Sequence, residues 1–294
     1  MSDSVLEPTP QISQRMYERI TALAYERCGV DLRRGKEQLV SVRLGKKMRE
    51  SGCKSYESYF EQVEQDRTGE TLIAMIDALT TNYTSFLREG AHFAYMKEHV
   101  LPKLEKRERL EIWSAASSTG EEIFSILFTI LDHFSWAPDS PEAARRLKVR
   151  GTDISTRALR AAQAGVYAEE RLEGLPAGWS RRYFLRGTGR QQGQYRVKPE
   201  VRKMAEFSRF NLIDPEPDAR QYPLILCRNV MIYFDRMTQE KVVRTLTGRL
   251  EPEGHLFIGH AESLSGISHS LQYVKPAIFR KPCGAGQESN RGAR

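Results

Sequence analysis

Residues 111–122 read Glu-Ile-Trp-Ser-Ala-Ala-Ser-Ser-Thr-Gly-Glu-Glu, and this segment indicates the class of fold. The short apolar run from Leu110 to Trp113 predicts a buried strand, and the small residues after it predict a loop. An apolar helix is predicted next, from Ile123 to Leu131. This order of strand, small-residue loop and helix is typical of the first turn of a doubly wound α/β domain, where a nucleoside-bearing ligand approaches the backbone closely.

The end of that loop indicates the chemistry of the ligand. The loop lacks the G-x-G-x-x-G pattern and ends in two acids, Glu121 and Glu122. Two carboxylates at the start of a helix would repel a pyrophosphate, which a bare helix N-terminus binds. They suit a ligand that has no phosphate and carries hydroxyl groups and a positive charge. S-adenosylmethionine (SAM) has a ribose diol and a sulfonium but no phosphate, so we expect it as the cofactor.

A further acid follows the next predicted strand, residues 147–154. This acid is Asp153, and Ser155 is placed to cap a helix that runs through Leu159 and Ala162. An acid at the end of the second strand is positioned to bind both ribose hydroxyls. The alternative is that Asp153 only caps the helix, and the small-residue loop upstream favours ligand binding.

The composition predicts a globular protein. The chain has 294 residues, of which 40% are hydrophobic and 9% aromatic. No apolar run approaches the ~18 residues that a membrane span needs, and residues 1–10 lack a signal-peptide pattern. The four cysteines are scattered without a C-x-x-C pair, which argues against disulfides and a zinc site. We therefore expect a cytoplasmic protein with reduced thiols, no metal and no direct membrane insertion.

The positive charge of the chain is unevenly distributed. The net charge is +7, and residues 31–54 hold eight basic side chains against three acidic ones. Such a cluster is either an ordinary solvated helix face or a docking surface for an acidic partner. The residues at helical spacing on the basic face are Arg43, Lys46, Lys47 and Glu50, with Leu39, Val42 and Leu44 expected on the core side.

Apolar periodicity divides the chain into domains. Residues 10–80 predict a helical domain, and residues 81–90 predict a packed linker. Residues 91–282 predict an α/β domain in which strands alternate with helices, which is typical of a parallel sheet. Residues 283–294 are rich in Gly, Ser and Arg and predict a disordered tail. The predicted helices of the first domain cover residues 12–28, 36–50, 55–65 and 70–79.

Glycines interrupt the α/β alternation within residues 183–199. Gly187-Thr188-Gly189 and Gly193 separate two short β-prone segments, which predicts a small antiparallel hairpin insertion. This hairpin either covers the main sheet or offers a free edge to a peptide. The later elements are predicted as strands over 201–210, 223–227, 255–259 and 277–280, a helix over 238–250 with Thr238 as N-cap, and a turn at 252–254.

Six motifs follow one another along the chain. They are Thr80-Thr81-Asn82-x-Thr84-x-Phe86-x-Arg88-Glu89, Ser118-Thr119-Gly120-Glu121-Glu122, Asp153-Ile154, Asn211-Leu212, Cys227-Arg228-Asn229-Val230-Met231-Ile232-Tyr233-Phe234 and Gly259-His260-x-Glu262. Their order resembles the CheR family, the SAM-dependent glutamate O-methyltransferases of bacterial chemoreceptors. The resemblance implies an all-α N-terminal domain, a linker and a class I methyltransferase (Rossmann-like) domain with a small antiparallel β-subdomain. Leu87 and Ile123-Phe124 depart from the family pattern without removing a charged group.

The resemblance also implies a role for each matched position. Asn82, Thr84 and Arg88 would reach the cofactor from the linker, and Arg88 would face the methionine carboxylate or the incoming substrate. Tyr233 would stand beside the methyl group, so Arg88 and Tyr233 are the candidate catalytic residues. Of the remaining positions, Ala116 and Glu122 would hold the methionine end, Asp153 the ribose, Asn211 and Leu212 the adenine, and Arg228 and Asn229 would line the transfer site.

The implied reaction methylates glutamate side chains of chemoreceptors and leaves S-adenosylhomocysteine. A glutamate carboxylate has a pKa of ~4.3, so it is a nucleophile at neutral pH without a general base. The site would mainly align the carboxylate with the methyl group and exclude water. We expect a monomer that binds the cytoplasmic domain of the receptor through Arg43, Lys46 and Lys47. Gly187-Thr188-Gly189 resembles the segment with which family members bind a short peptide at the receptor C-terminus.

Two other functions are considered. Basic charge suggests a nucleic-acid methyltransferase, but Asn229 precedes Val230-Met231 and not the Pro-Pro-aromatic run of base-amino methylases. We therefore expect no nucleic-acid partner. A non-catalytic adaptor that senses SAM is the second alternative, and the intact Arg228-Asn229 motif argues against it. For Tyr233 and Phe234 the alternative is plain core packing.

Overall fold

The computed structural model describes residues 11–32, 35–80, 83–215 and 220–283. The predicted tail therefore lies outside the described residues, except for its first residue. Caps set the helix ends of the N-terminal domain: Ser13 accepts the backbone N–H of Met16, and Gly29 ends the first helix with φ 73°. Ser55 begins the third helix with a capping box, as its sequence predicts. The helices are α1 Gln14–Cys28, α2 Glu37–Glu50, α3 Tyr56–Gln65 and α4 Glu70–Leu79.

Helix α2 buries only one of its three predicted core residues, Leu44. Val40, Leu44 and Met48 recur every four residues and form its apolar stripe in the domain core. Leu39 and Val42 point outward instead, with exposed fractions of 39% and 65%. The prediction was wrong for these two residues because they do not lie on the stripe that Val40, Leu44 and Met48 form.

The second domain holds a mixed seven-stranded sheet. Its strand order is β6-β2-β1-β7-β8-β10-β9, in which β6, β2, β1, β7 and β8 run parallel and β10 pairs antiparallel with β8 and β9. A separate three-stranded antiparallel sheet has the order β3-β5-β4. The strands are β1 Leu110–Ser114, β2 Leu147–Asp153, β3 Val166–Ala168, β4 Phe184–Arg186, β5 Gln194–Val197, β6 Ala205–Arg209, β7 Tyr222–Cys227, β8 Leu250–Ile258, β9 Gln272–Lys275 and β10 Ile278–Arg280.

Helices cover both faces of the main sheet. In β7, Leu224 and Leu226 face one apolar cluster with α7, and Ile225 and Cys227 face the other with α12. A π-helix, Met96–Val100, lies between the short helices Ala91–Tyr95 and Leu101–Leu104. The helices are α5 Ala91–Tyr95, α6 Leu101–Leu104, α7 Glu121–His133, α8 Pro141–Arg146, α9 Thr156–Ala164, α10 Trp179–Tyr183, α11 Pro199–Arg202 and α12 Arg236–Gly248, and 3₁₀ turns span Glu169–Leu172, Gly189–Gln191 and Met231–Tyr233.

Four local predictions need correction. The strand predicted over 201–210 is shorter, because a helix occupies Pro199–Arg202 and the strand covers only Ala205–Arg209. Helix α12 begins earlier than predicted, because Asp235 and not Thr238 is its N-cap and accepts the backbone N–H of Thr238. The predicted turn at 252–254 lies within β8, where Glu253 has φ 64° and the pairing with β7 shifts register. The predicted hairpin is present as β4 and β5, but β3 joins it and makes a three-stranded sheet.

Contacts between the domains bring the N-terminal helices to the carboxyl ends of the strands. The backbone N–H of Asp31 donates to the carbonyl of Tyr233 over 2.7 Å, and the hydroxyl of Ser155 donates to Asp77 over 2.8 Å. Since Ser155 follows β2 and Tyr233 follows β7, the helical domain closes over the ends of both strands. Within the described ranges no helix combines the length and apolarity needed to cross a membrane.

Candidate functional site

A pocket lies where the linker and the N-terminal domain meet the carboxyl ends of β1, β2 and β7. This is the edge at which open α/β sheets bind ligands. Asn82 lies outside the described residues. The predicted site residues that line the pocket are Thr84, Arg88, Ala116, Glu122, Asp153, Asn211, Leu212, Arg228, Asn229 and Tyr233.

The loop after β1 is tightly packed. Gly120 has φ 95°, and a Cβ at this position would lie 2.9 Å from the Cβ of Ala162 and 3.0 Å from the hydroxyl of Tyr167. Only glycine fits both the backbone conformation and the space. Ser118 also has a positive φ, 47°, although it is not glycine. The small residues of this loop therefore allow a backbone path that brings Ala116 and Ser118 to the pocket wall.

The two acids that end this loop point in different directions. Glu122 lines the pocket and accepts hydrogen bonds from the hydroxyl of Ser114 over 2.7 Å and from Arg228 over 3.1 Å. Burial raises the pKa of the Glu122 carboxyl, and the nearby Arg228 guanidinium opposes that rise. Glu121 is buried away from the pocket, where it pairs with Arg171. Only one of the two acids is therefore available to a ligand.

Asp153 lines the pocket, and its carboxylate also orders the backbone on both sides of it. One carboxylate oxygen accepts the backbone N–H of Ser118 over 2.8 Å, and the other accepts that of Ser155 over 2.9 Å. Burial raises the pKa of this carboxyl, while the two backbone N–H groups lower it. Ser155 itself caps α9. Each carboxylate oxygen has more than one lone pair, so Asp153 can order the loop and still accept from ligand hydroxyls.

Arg228 is the centre of a buried charge network at one wall of the pocket. Its guanidinium contacts the carboxylates of Glu89 and Glu122, both over 3.1 Å, and also donates to the backbone carbonyl of Arg88. Asn229 donates to Glu89 over 3.1 Å. Buried ions are stable only when paired and hydrogen-bonded. The network thus fixes the linker and the loop after β7 relative to each other.

The linker is held by contacts that the sequence does not reveal. Arg88 donates to the carbonyl of Tyr83 over 2.8 Å. Arg171, from the 3₁₀ turn Glu169–Leu172, donates to the carbonyl of Thr84 over 2.7 Å as well as to Glu121. No motif singled out Arg171, because its partners are 50 and 87 residues away in the chain.

Positive φ angles accumulate around the pocket. Leu87 and Glu89 in the linker, Ser118 after β1 and Asn229 after β7 all have φ between 47° and 58°. Non-glycine residues rarely adopt this conformation, and strained backbone concentrates at functional sites where the surroundings hold it in place. The loops that form the pocket are therefore fixed by their contacts and not by local preference.

The opposite end of the pocket is partly built by the helical domain. Asn211 donates to the carbonyl of Arg27 over 2.8 Å and accepts from the backbone N–H of Ile213 over 3.3 Å. Leu212 is buried beside it. The sequence does not reveal this contribution of the first domain, because apolar residues at helix ends carry no ligand-binding motif. The lining residues missed from this domain are Cys28, Val30 and Ile76, whereas Thr80, which also lines the pocket, opens the first motif.

The predicted docking residues lie outside this pocket. Arg43, Lys46, Lys47 and Glu50 line a separate cleft with part of α4 and with Thr156, Arg157 and Arg160 at the start of α9. We refer to this surface as the α2–α9 cleft. Gly187-Thr188-Gly189 lies in the β4–β5 connection, where the N–H of Gly187 pairs with the carbonyl of Gln194. Gly189, with φ 57°, begins a 3₁₀ turn at the exposed tip.

One group of side chains has metal-ligand chemistry. Glu89, His92 and His260 bring one ligand atom each within 4.8 Å of one another. However, Glu89 already contacts Arg228 and Asn229. A metal ion bound there would lie against the buried Arg228 guanidinium, which electrostatic repulsion opposes.

The pocket suits a cationic nucleoside ligand. Glu122 lies in the first turn of α7, where an incoming phosphate would otherwise bind, so a phosphate is repelled and a positive charge is favoured. Asp153 offers carboxylate oxygens to hydroxyl groups, and Leu212 with Phe210 offers an apolar surface. These features fit S-adenosylmethionine.

Known proteins match the chain over most of its length. A family model described as the CheR methyltransferase SAM-binding domain matches residues 82–288, and one described as the CheR all-alpha domain matches residues 15–80. Chemotaxis protein methyltransferase 2 of Pseudomonas aeruginosa is 37% identical, covering 90% of this chain and 91% of its own length. The chemotaxis protein methyltransferases of Salmonella typhimurium and Klebsiella aerogenes are 38% and 39% identical, and each alignment covers 91% of this chain and 90% of the relative.

These matches confirm the predicted family and the predicted class of fold. They support neither a nucleic-acid methyltransferase nor a non-catalytic SAM-sensing adaptor. With both family domains present in order and relatives matched over nine-tenths of the chain, this protein belongs to the CheR family of SAM-dependent chemotaxis methyltransferases.

Proposed function

We propose that this enzyme methylates glutamate side chains on the cytoplasmic domain of bacterial chemoreceptors and that it produces methyl esters and S-adenosylhomocysteine. The observation that carries the proposal is the absence of a general base among the described residues lining the pocket. Its two acids, Glu122 and Asp153, accept from Arg228 and from backbone N–H groups and are assigned below to the cofactor, and the lining includes neither histidine nor lysine. A carboxylate substrate needs no base, whereas an amine substrate must lose a proton.

The cofactor contacts follow from the side chains of the pocket. We assign the ribose hydroxyls to Asp153 and the methionine ammonium to Glu122, since both keep unused acceptor capacity. Ala116 would contribute its backbone beside Glu122. Asn211 and Leu212 would hold the adenine, with Cys28 and Val30 of α1 and the segment after it closing that end. Thr84 and Asn82 would contact the cofactor from the linker.

Two residues are proposed to orient the substrate. The bound cofactor supplies a methyl group on a positively charged sulfur, which leaves as a neutral thioether. Arg88 uses one guanidinium N–H for Tyr83 and retains others for an incoming carboxylate. Tyr233 lines the same wall beside Arg228 and Asn229. Desolvating a carboxylate is costly, so a guanidinium or phenol donor at this point offsets part of that cost while the enzyme holds the reacting atoms in line.

Receptor docking is proposed at the α2–α9 cleft. The cleft brings Lys46 and Lys47 of the helical domain together with Arg157 and Arg160 of the methyltransferase domain. Val42 adds exposed apolar surface to the cleft, and the buried side chain of Ile73 also lines it. The five cations of the cleft outnumber its three acids, Glu50, Glu70 and Asp77, so a positive surplus beside apolar surface suits an amphipathic helix with an acidic face. Receptor methylation regions that carry glutamates would have this character.

A second contact is proposed at the three-stranded sheet. Strand β4 pairs only with β5 within the described chain, so its other edge is open. The carbonyl of Tyr183 and the N–H of Gly187 bond to the β5 side. Because backbone groups alternate in direction along an antiparallel strand, the N–H groups of Phe184 and Arg186 point outward. A receptor peptide could add a strand there, next to Gly187-Thr188-Gly189. Such tethering would raise the local concentration of enzyme without changing the chemistry.

Labelled methyl transfer tests the proposed reaction. The purified enzyme would be incubated with methyl-tritiated SAM and a receptor cytoplasmic fragment, the same fragment with its candidate glutamates replaced by glutamine, or DNA. We expect alkali-labile label only on the first fragment, because methyl esters hydrolyse in base. Alkali-stable label, or label in DNA, would contradict the proposal.

The tethering proposal has its own test. Arg186→Pro removes the outward N–H of β4 and leaves the bonds to β5, since proline is tolerated on an edge strand. Arg186→Gln is the matched control because it removes the same charge and keeps the N–H. Affinity for the full-length receptor should fall only in the proline variant, to the level that the native enzyme shows for a tail-truncated receptor. Equal affinity in all of these pairs would leave the hairpin a purely structural element.

A further inference from the structure

The motif Gly259-His260-x-Glu262 follows β8 and has no role in the contacts proposed so far. In the structure, the Glu262 carboxylate accepts four backbone N–H groups. One oxygen accepts from Gly259 over 2.6 Å and from Asn229 over 3.0 Å. The other accepts from Met231 over 2.7 Å and from Ile232 over 3.3 Å. A single side chain thus accepts hydrogen bonds from three backbone N–H groups of the loop that follows the neighbouring strand β7.

That loop holds the residues at the transfer end of the pocket. Asn229 adopts φ 58°, which costs conformational energy for a residue other than glycine. Tyr233 ends the 3₁₀ turn Met231–Tyr233 that begins at the Glu262 contact. Because three of the four N–H groups belong to residues 229–232, the carboxylate is the contact that joins the strained residue to the turn.

The surrounding space is shaped to this arrangement. A Cβ at Gly259 would lie 2.5 Å from Nδ2 of Asn229 and 2.9 Å from the Glu262 oxygen that Asn229 and Gly259 share. Any side chain there would push the carboxylate and the loop apart. The glycine and the glutamate of the motif therefore serve one structure: the glycine admits the loop and the glutamate binds it.

We propose that Glu262 is a positioning residue for methyl transfer, which fixes Asn229 and Tyr233 at the transfer site without touching the cofactor or the substrate. Glu262 is not among the residues that line the pocket. The inference rests on the placement of the transfer site beside Asn229 and Tyr233 proposed above. A carboxylate is required at this position because only it accepts at both ends, whereas an amide presents an NH₂ group to one pair of donors.

The variant that tests this proposal is Glu262→Gln, which keeps the size of the side chain and replaces one acceptor oxygen with an NH₂ group. Hydrogen exchange followed by NMR measures the loop directly, and it needs no substrate. Depending on which oxygen the amide group replaces, we expect either the Asn229 amide or the amides of Met231 and Ile232 to exchange at least about tenfold faster, because they lose a charged acceptor. The Ser118 amide, which donates to Asp153, should be unchanged. Unchanged exchange throughout the loop would overturn the proposal.

The same variant separates catalysis from cofactor binding. We expect kcat for labelled methyl transfer to fall about 10- to 100-fold, because a displacement of about 1 Å at the reacting atoms has an effect of this size. The affinity for S-adenosylhomocysteine should stay within about threefold, since Asp153 and Glu122 keep their contacts. Glu253→Gln is the matched control, because Glu253 lies on β8, the strand that precedes Glu262, and pairs at the surface with Arg280.

Two outcomes would contradict a positioning role. A normal kcat alongside fast loop exchange would show that the loop order has no part in the reaction. A loss of cofactor affinity as large as the loss of kcat would place Glu262 in the cofactor site. If Glu262→Gln does not fold, Glu262→Asp keeps both oxygens and the charge one methylene shorter, and it should give faster loop exchange and a smaller loss of kcat. This substrate-independent exchange measurement distinguishes a failure here from a failure of the proposed glutamate specificity.

Discussion

The ligand pocket and the α2–α9 cleft are both lined with charged side chains, but the environment of those charges differs. In the pocket, the Arg228 side chain is 1% exposed and its partners Glu89 and Glu122 are 13% and 11% exposed. In the cleft, the Arg157 and Arg160 side chains are 77% and 70% exposed. Pocket charges are therefore paired out of contact with water, whereas the cleft arginines stay largely hydrated although they pair with Asp77 and Glu70.

This difference determines what each region can do. A buried ion has lost its hydration, so it stays in place only with its partners and keeps a fixed geometry. Fixed geometry is what alignment of a nucleophile with a methyl group requires. Exposed charges contribute little to stability, but they act over a Debye length of ~8–10 Å and accelerate the encounter with a partner. On the proposed function, the pocket would align the reacting groups and the cleft would capture the acidic partner.

The sharpest test of the comparison removes the central cation of the pocket. Arg228→Met leaves Glu89 and Glu122 buried without their counter-ion, so we expect the free energy of unfolding to fall by about 3–5 kcal/mol. Methyl transfer should be lost as well, because the linker and the loop after β7 separate. Urea unfolding measures the first effect, and labelled transfer measures the second.

A surface pair provides the control for this experiment. Arg244 pairs with Glu240 on α12, and its side chain is 77% exposed. Arg244→Met should change the free energy of unfolding by no more than about 0.5 kcal/mol, as exposed helical pairs do. Similar losses in the two variants would mean that burial does not distinguish the two kinds of charge in this protein.

A second test uses the pH dependence of the buried region. His92 is 1% exposed and stacks on Phe257, and burial lowers its pKa to about 4, with a further lowering effect of Arg228 and His260 and an opposing effect of Glu89. Between pH 6.5 and pH 4 the unfolded chain therefore binds a proton at this site that the folded chain does not. Stability falls as the pH drops through this window, by up to roughly 3 kcal/mol at about 1.4 kcal/mol per unit of pKa difference.

His92→Phe should remove this contribution, because phenylalanine keeps the ring and does not titrate. The difference in unfolding free energy between pH 7.5 and pH 4.5 should be smaller in the variant than in the native protein. His269 is exposed, so His269→Gln should leave that difference as it is. An unchanged pH dependence in His92→Phe would show that the imidazole is hydrated in the folded protein.

The third test measures the contribution of Asp153 to cofactor binding. Asp153→Ala should weaken S-adenosylhomocysteine binding by about 1.5–3 kcal/mol, or roughly 10- to 150-fold, because hydrogen bonds to a charged group are lost. The variant also frees the N–H groups of Ser118 and Ser155, so a structural control is needed. Ser155→Ala removes the cap of α9 and leaves Asp153, and its affinity should stay within about threefold. Calorimetry that shows native affinity in Asp153→Ala would exclude Asp153 from the site.

Much of this architecture follows from short-range patterns in the sequence. The strand, the small-residue loop and the apolar helix at residues 110–131 are local features, and β1 and α7 follow them closely. Ser55 and Gly29 set helix ends through bonds to neighbouring residues, so capping rules apply directly. The ordered motifs then identified the family, which composition and periodicity alone do not do.

The features that the sequence did not reveal depend on contacts between distant segments. Val166–Ala168 is three residues long and becomes a strand only because β5 lies beside it. Arg171 acts on the linker across 87 residues. Val30 and Cys28 reach the pocket only because the two domains pack together. Pattern rules read neighbours in the chain, so they do not detect these placements.

The smallest expected effect on the protein itself comes from the cleft. In Lys46→Glu/Lys47→Glu, the free energy of unfolding and the affinity for S-adenosylhomocysteine should remain near native values, because exposed charges contribute about 0–1 kcal/mol each. Methylation of a receptor fragment should nevertheless slow by several-fold, since an acidic partner meets repulsion in place of attraction. Lys241→Glu/Arg244→Glu on α12 makes the same change in net charge elsewhere and should not slow the reaction.

The native rate should also fall with added salt, and the reversed variant should lose this salt dependence. If the native rate does not depend on salt and the reversal has no effect, the basic face of α2 is only a solvated surface. The proposal that the cleft captures an acidic partner would then be wrong.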